Sequence, residues 1–152
     1  MTEKDRPREF LSFLLRAKRA TYAADGPRSM PSRPASKDLL YEEEDGWLYL
    51  DTYLGGDHFA GEEAVWKDGT PIWAMNYCGR TLREGFDLAF LKHALAKVPE
   101  DAPFRGPIEY QEGPMLYTNN YAGDSSWFFG REEIFSSGVI VYECIYHGGM
   151  IQ

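Results

Sequence analysis

The chain nearly repeats itself at an offset of 69 residues. Residues 59–79 align with 128–148 without a gap: Phe59 falls on Phe128, Gly61 on Gly130, Glu63 on Glu132, Gly69 on Gly138, Tyr77 on Tyr146 and Gly79 on Gly148. Val65/Ile134, Trp66/Phe135, Ile72/Val141 and Trp73/Tyr142 agree in kind, and the register reaches back to Tyr41/Tyr110 and Glu43/Glu112. A fixed-period echo constrains architecture more than any single motif, because each copy must fold into the same unit.

Each half reads as a helix, a loop and four strands. Pro7 suits a first helical turn. Phe10, Phe13, Leu14, Ala17 and Thr21 then recur at helical spacing, which predicts a helix over about 7–23 with Arg16, Lys18 and Arg19 largely outside the apolar stripe. The Pro/Ser/Gly-rich stretch 24–37 predicts an ordered covering loop. Strands are predicted at about 38–44, 47–54, 58–67 and 71–78, with turns at Asp45-Gly46, Gly55-Gly56-Asp57 and Asp68-Gly69. Thr81 and Glu84 have capping-box spacing and predict a second helix to about 97, striped by Leu88, Leu91 and Leu95. A Pro-containing loop over 99–107 precedes strands at about 108–112, 115–121, 127–135 and 139–147. Short hairpin connections require antiparallel pairing. The expected fold class is therefore α+β: a single domain over 1–152, built of two pseudo-repeated αββββ halves (about 7–79 and 82–149). Antiparallel sheet, joined or in two layers, carries both helices.

The chain of 152 residues is long enough for one core, and 43% apolar content places it outside the disordered class. No apolar run is long enough to span a bilayer, and the charged start MTEKDRPREF lacks a signal-peptide core, so a cytoplasmic protein without a membrane partner is expected. Cys78 and Cys144 read as small apolar groups, without CxxC spacing. Net charge is −8, which opposes nucleic-acid binding. Residues 1–37 hold nine Lys/Arg against four Asp/Glu, and the remainder seven against twenty. A basic segment lying over an acidic body is the preferred reading. An anion site near Arg28, Arg33 and Lys37 is the alternative.

Strand alternation puts Phe59, Gly61, Glu63 and Val65 on one face, and Phe128, Gly130, Glu132 and Ile134 on another. Each half thus sets a glutamate in an apolar stripe, where it needs a partner. Arg33 and Arg105, each in the loop before its half's first strand, are the candidate partners. Internal ion pairing is the blander reading of these carboxylates, and a polar pocket for a polar or cationic small molecule is the sharper one. His147 in the glycine-rich YHGG segment is a further polar candidate. No zinc, calcium, phosphate-loop, dinucleotide or GxSxG pattern occurs, so no metal, cofactor or catalytic residue is assigned.

The segments AKRATYA (17–23), SRPASKD (32–38), DTYLGG (51–56), FAGEEAVW (59–66), PIWAMNYCGR (71–80), RGP (105–107) and YECIYHGG (142–149) together resemble the domain of unknown function 5680 family. That family occurs in bacteria, free-standing or behind an XRE-type helix-turn-helix domain. The resemblance implies no established activity or site residues. Its association with regulators implies a sensor-like module by analogy. No helix-turn-helix segment precedes the domain here, so DNA binding is not expected.

The leading expectation is a module binding a small molecule or peptide, in a form suited to a homodimer. Arg33, Glu63, Asn76, Arg105, Glu132 and His147 are its polar groups, and Trp73 and Tyr142 its walls. A hydrolase-like enzyme pairing Glu63 or Glu132 with His147 is the second reading, and a pure interaction domain the third.

Overall fold

The computed structural model describes residues 6–24 and 28–151. Residues 25–27 of the covering loop and the charged residues 1–5 lie outside them. The chain runs α1 (Arg6–Ala20), a 3₁₀ turn (Tyr22–Ala24), β1 (Arg28–Ser29), β2 (Lys37–Glu42), β3 (Trp47–Gly55), β4 (His58–Lys67) and β5 (Thr70–Thr81). It continues with α2 (Leu88–Ala96), β6 (Glu109–Glu112), β7 (Met115–Asp124), β8 (Trp127–Ser136) and β9 (Val139–Met150). The fold is α+β, and its strands form one antiparallel sheet in the order β1-β2-β3-β4-β5-β9-β8-β7-β6. At its centre β5 pairs with β9, and Tyr77 lies opposite Tyr146. Register shifts interrupt the ladder at Val65/Trp66 and at Ile134/Phe135.

The eight strands expected from alternation form, because each apolar face has period two and each hairpin has its turn residue. Gly55 shows why the turns are fixed. Its φ is +96°, and a Cβ there would lie 2.1 Å from the His58 carbonyl oxygen.

Both helices cover the same face of the sheet. In α1, Phe10, Phe13, Leu14 and Ala17 are buried, and the Phe13 ring stacks on Trp47 at 5.1 Å. In α2, Phe90, Leu91, Ala94 and Leu95 are buried, and Phe90 stacks on Tyr110 at 5.7 Å. Trp73, Tyr49, Tyr117, Tyr142 and Tyr146 from the sheet complete the core. Each such side chain contributes roughly 1.5–3 kcal/mol through burial.

Two expectations about the helices change. The second helix begins at Leu88, not near Thr81. Gly85 takes a φ of +101°, which breaks any helix through it, and Asp87 accepts the backbone N–H groups of Ala89 and Phe90 as the true cap. Leu88 is consequently exposed. The first helix stops at Ala20, where Thr21 Oγ1 donates back to the Ala17 carbonyl at 2.7 Å. Among the described residues, no helix is long and apolar enough to cross a membrane.

Candidate ligand-binding pocket

Glu63 and Glu132 are both buried on the helix-covered face. Lys18 Nζ donates to Glu63 Oε2 at 2.5 Å and also to the Phe104 carbonyl. Arg105 donates to Glu132 Oε1 at 2.5 Å, while Tyr142 Oη donates to the same oxygen at 2.7 Å. Tyr117 Oη donates to Glu132 Oε2 at 2.5 Å. Glu132 is thus satisfied by three donors, as a buried carboxylate must be. Burial pushes the Lys18 amine down against the pull of Glu63. Burial also disfavours the Arg105 charge, but the Glu132 carboxylate outweighs it and holds the guanidinium charged.

The two apolar stripes carry glycine for a steric reason. Tyr77 crosses the neighbouring Gly61, and a Cβ there would lie 2.5 Å from its hydroxyl. Tyr146 crosses Gly130 in the same way, at 2.3 Å. Through these gaps Tyr77 Oη donates to Asp51 Oδ1 at 2.5 Å, and Tyr146 Oη to Asn119 Oδ1 at 2.6 Å.

Asp51 lies at the floor of a cavity of about 270 Å³. Tyr77 and Arg105 share the floor, with the guanidinium carbon 5.4 Å from the Tyr77 ring centroid. Tyr53, Phe59, Phe86 and Tyr142 form walls, and Lys37 and Asp57 stand at the mouth. Tyr142 stacks between Phe59, at 6.2 Å and 17°, and Phe86, at 5.1 Å and 14°. Asp51 is 3% exposed, and burial together with the neighbouring Glu63 charge raises its carboxyl from 3.8 to about 7. The Tyr77 hydrogen bond and the Arg105 and Lys18 charges oppose that rise. A carboxyl balanced near neutrality in an aromatic cavity can donate, accept or carry charge. A smaller space of about 20 Å³ lies beside it, among Lys18, Tyr22, Tyr49, Glu63 and Arg105. Among the described residues, Arg105 Nε is buried without a hydrogen-bond partner, and burial with the neighbouring Glu63 charge pushes the Tyr49 hydroxyl up.

Of the residues expected from sequence, Arg105 and Tyr142 line the main cavity, and Glu63 lines the small space next to it. Arg33 is not the partner of Glu63. It is exposed and donates to Thr52 Oγ1 at 2.9 Å, because its loop folds onto the sheet edge around Asp38. Lys18, read as lying outside the helix stripe, takes that place. Trp73 is fully buried and stacks on Phe128 in the core, away from the main cavity's lining. Asn76 and His147 pair across β5 and β9 on the exposed face of the sheet. They alternate with Tyr77 and Tyr146, so they point away from Glu63 and Glu132, and no glutamate–His147 pair forms. Cys144 is buried as expected, whereas Cys78 is exposed on that outer face.

Asp51 and Phe86 are among the pocket residues that sequence reasoning missed. The signal for Asp51 was present: it alternates with Tyr49 and Tyr53, as Glu63 does with Gly61 and Val65. Among the described residues, no group of three or more His, Cys, Asp or Glu is placed to hold a metal ion.

Comparison with curated proteins and with solved structures returns no match. One family model matches residues 51–151, which takes in Asp51, both crossing tyrosines and every strand from within β3 to β9. On that match, over more than half its length, the chain belongs to the family described as Domain of unknown function (DUF5680).

Proposed function

We propose that this chain is a small-molecule binding module, and that its site is the cavity floored by Asp51, Tyr77 and Arg105. The carrying observation is Asp51, a buried carboxylate with no cation of its own among the described residues, held by one tyrosine and lining an aromatic cavity. Structural carboxylates in the same core are tied by cations. Leaving one without a cation costs stability, and binding is what offsets such a cost at functional sites. A screen of ring-bearing small molecules by thermal shift and intrinsic fluorescence tests this. Binders are expected, and their effect should fall at least about tenfold in Phe86→Ala, which removes one cavity wall. A broad screen without a Phe86-sensitive binder would sink the reading.

We also read the molecule as an internal duplication. The pairs Glu63/Glu132, Gly61/Gly130 and Tyr77/Tyr146, and both register shifts, recur at the 69-residue offset. By strand pairing, one residue off that offset, Asn119 opposite Glu132 stands where Asp51 lies opposite Glu63, so the carboxylate is what the first half adds.

A second reading is an interaction face. The uncovered side of the sheet exposes Trp127 by 77%, Phe129 by 60% and Ile145 by 58%. Large exposed apolar side chains gathered on one face mark association surfaces. Light scattering tests it: a homodimer that Phe129→Ser converts to monomer supports this face, and a monomer at all concentrations removes it.

A further inference from the structure

We infer that the occupant of the pocket is a small organic monocation, an amidinium or ammonium group on a flat ring, seated against Asp51. The inference rests on the binding reading above and adds the chemical class.

Charge pairing carries it. Two cations are buried beneath the pocket, and each already has a carboxylate: Lys18 with Glu63, and Arg105 with Glu132, both at 2.5 Å. Asp51 is the third carboxylate of this cluster and, among the described residues, receives only the Tyr77 hydroxyl. The cluster therefore has room for one more positive charge. An anion would be drawn to Arg105, whose Nε has no partner among the described residues, but the guanidinium is already held by Glu132 and lies over the Tyr77 ring. It would also enter a site where carboxylates outnumber cations.

The walls agree. Aromatic faces attract cations, most strongly where water is excluded. The protein's own ammonium groups already use the mouth in this way. Lys37 Nζ stands 5.4 Å from the Tyr53 ring centroid, and Lys92 Nζ 5.2 Å from that of Tyr22. Flatness follows from Phe59, Tyr142 and Phe86, whose rings lie within 17° of parallel to their neighbours in the stack. The cavity of about 270 Å³ equals roughly nine waters at ~30 Å³ each, which suits one ring with a short branch.

Asp51 is faced by Glu63 from β4, Tyr77 from β5, Lys18 from α1 and Arg105 from the loop before β6. Lys37, Asp57 and Tyr22 complete the mouth. A permanent cation binds the ionised carboxyl best, so binding tightens as pH rises through the Asp51 titration.

The test titrates benzamidine, benzamide and benzoate into the intact chain by calorimetry at pH 5.5 and 8.5. Benzamidine remains cationic at both, and the other two share its shape. Benzamidine should bind at least about tenfold tighter than either at the higher pH, a gap of about 1.4 kcal/mol. Its affinity should rise up to about thirtyfold between the two pH values, the change in ionised fraction of a group titrating near 7. Asp51→Asn should abolish that rise while keeping the Tyr77 hydrogen bond, as Asn119 keeps that of Tyr146. Circular dichroism verifies that the variant is folded. Phe86→Ala should weaken all ring binding. Benzamide or benzoate binding more tightly, and Phe86-sensitive, overturns the cation inference and leaves the pocket reading standing. Absence of binding by all three overturns the inference, and it counts against the pocket only if the broad screen is blank too.

Discussion

Asp51 and Glu63 face one another across β3 and β4, and among the described residues only Glu63 has a cation in contact, Lys18 at 2.5 Å. Two carboxylates so placed in a core cannot both ionise cheaply. The molecule eases the conflict at Asp51, whose carboxyl burial and the neighbouring Glu63 charge push upward.

That arrangement makes stability depend on pH in a defined direction. Asp51 titrates at about 7 when folded, against 3.8 in the unfolded chain, so the folded state binds this proton more tightly. Its stabilising effect is fully present below about pH 4 and is lost as pH rises through 7. The size is on the order of 4 kcal/mol at 1.36 kcal/mol per tenfold. Asp51→Asn does not titrate. The unfolding free energy of the parent minus that of the variant should therefore fall between pH 4 and 7 and level off above about 8. Urea melts across that range measure it, and a flat difference contradicts the Asp51 environment described here.

Removing one member of a buried ion pair should cost more than removing both. Lys18→Met strands the Glu63 carboxylate in the core and should destabilise by about 3–5 kcal/mol. Adding Glu63→Gln should recover a large part of that loss. A double-mutant cycle in urea reads the coupling, and additive effects would mean the pair is not formed in solution.

Gly61→Ala should destabilise by about 1–3 kcal/mol, because the new methyl would meet the Tyr77 hydroxyl at 2.5 Å and the Thr52 carbonyl at 2.6 Å. Tyr77 must give way, so the bond to Asp51 should lengthen or break. Adding Tyr77→Phe should make the alanine less costly. Thermal melts of the two singles and the double decide it.

The two thiols should differ sharply in reactivity. Cys78 is exposed, while burial pushes the Cys144 thiol up to about 12. A disulfide-exchange reagent should titrate one thiol in the native chain and two in denaturant. Two fast thiols in the native chain would contradict the burial of Cys144.

The strands within about 38–78 and 108–147 are legible in the sequence because alternation and turn chemistry are local properties. Asp45-Gly46, Asp68-Gly69 and Ser137-Gly138 close hairpins whichever face is later buried. Thr81 and Glu84 have cap spacing and so point to an early helix start, yet Asp87 competes for the same role and Gly85 favours the break. Lys18 was misjudged because its helix face is polar in sequence. The loop holding Phe104 and Arg105 covers it, and that contact joins residues 86 positions apart.

Sequence by itself determined strands β2–β9, the α+β class, the family and the demand that Glu63 and Glu132 find partners. These follow from short-range periodicity and from the cost of a bare buried charge. Only the tertiary structure decided which partners those were, which face of the sheet the helices cover, and that Asp51 is the carboxylate left over. Partner choice depends on which loop closes over which strand, and the strand pattern is the same whichever loop does so. Alternation likewise groups residues by face but does not say which face is buried. That choice put Asn76 and His147 outside and gave the pocket to Asp51.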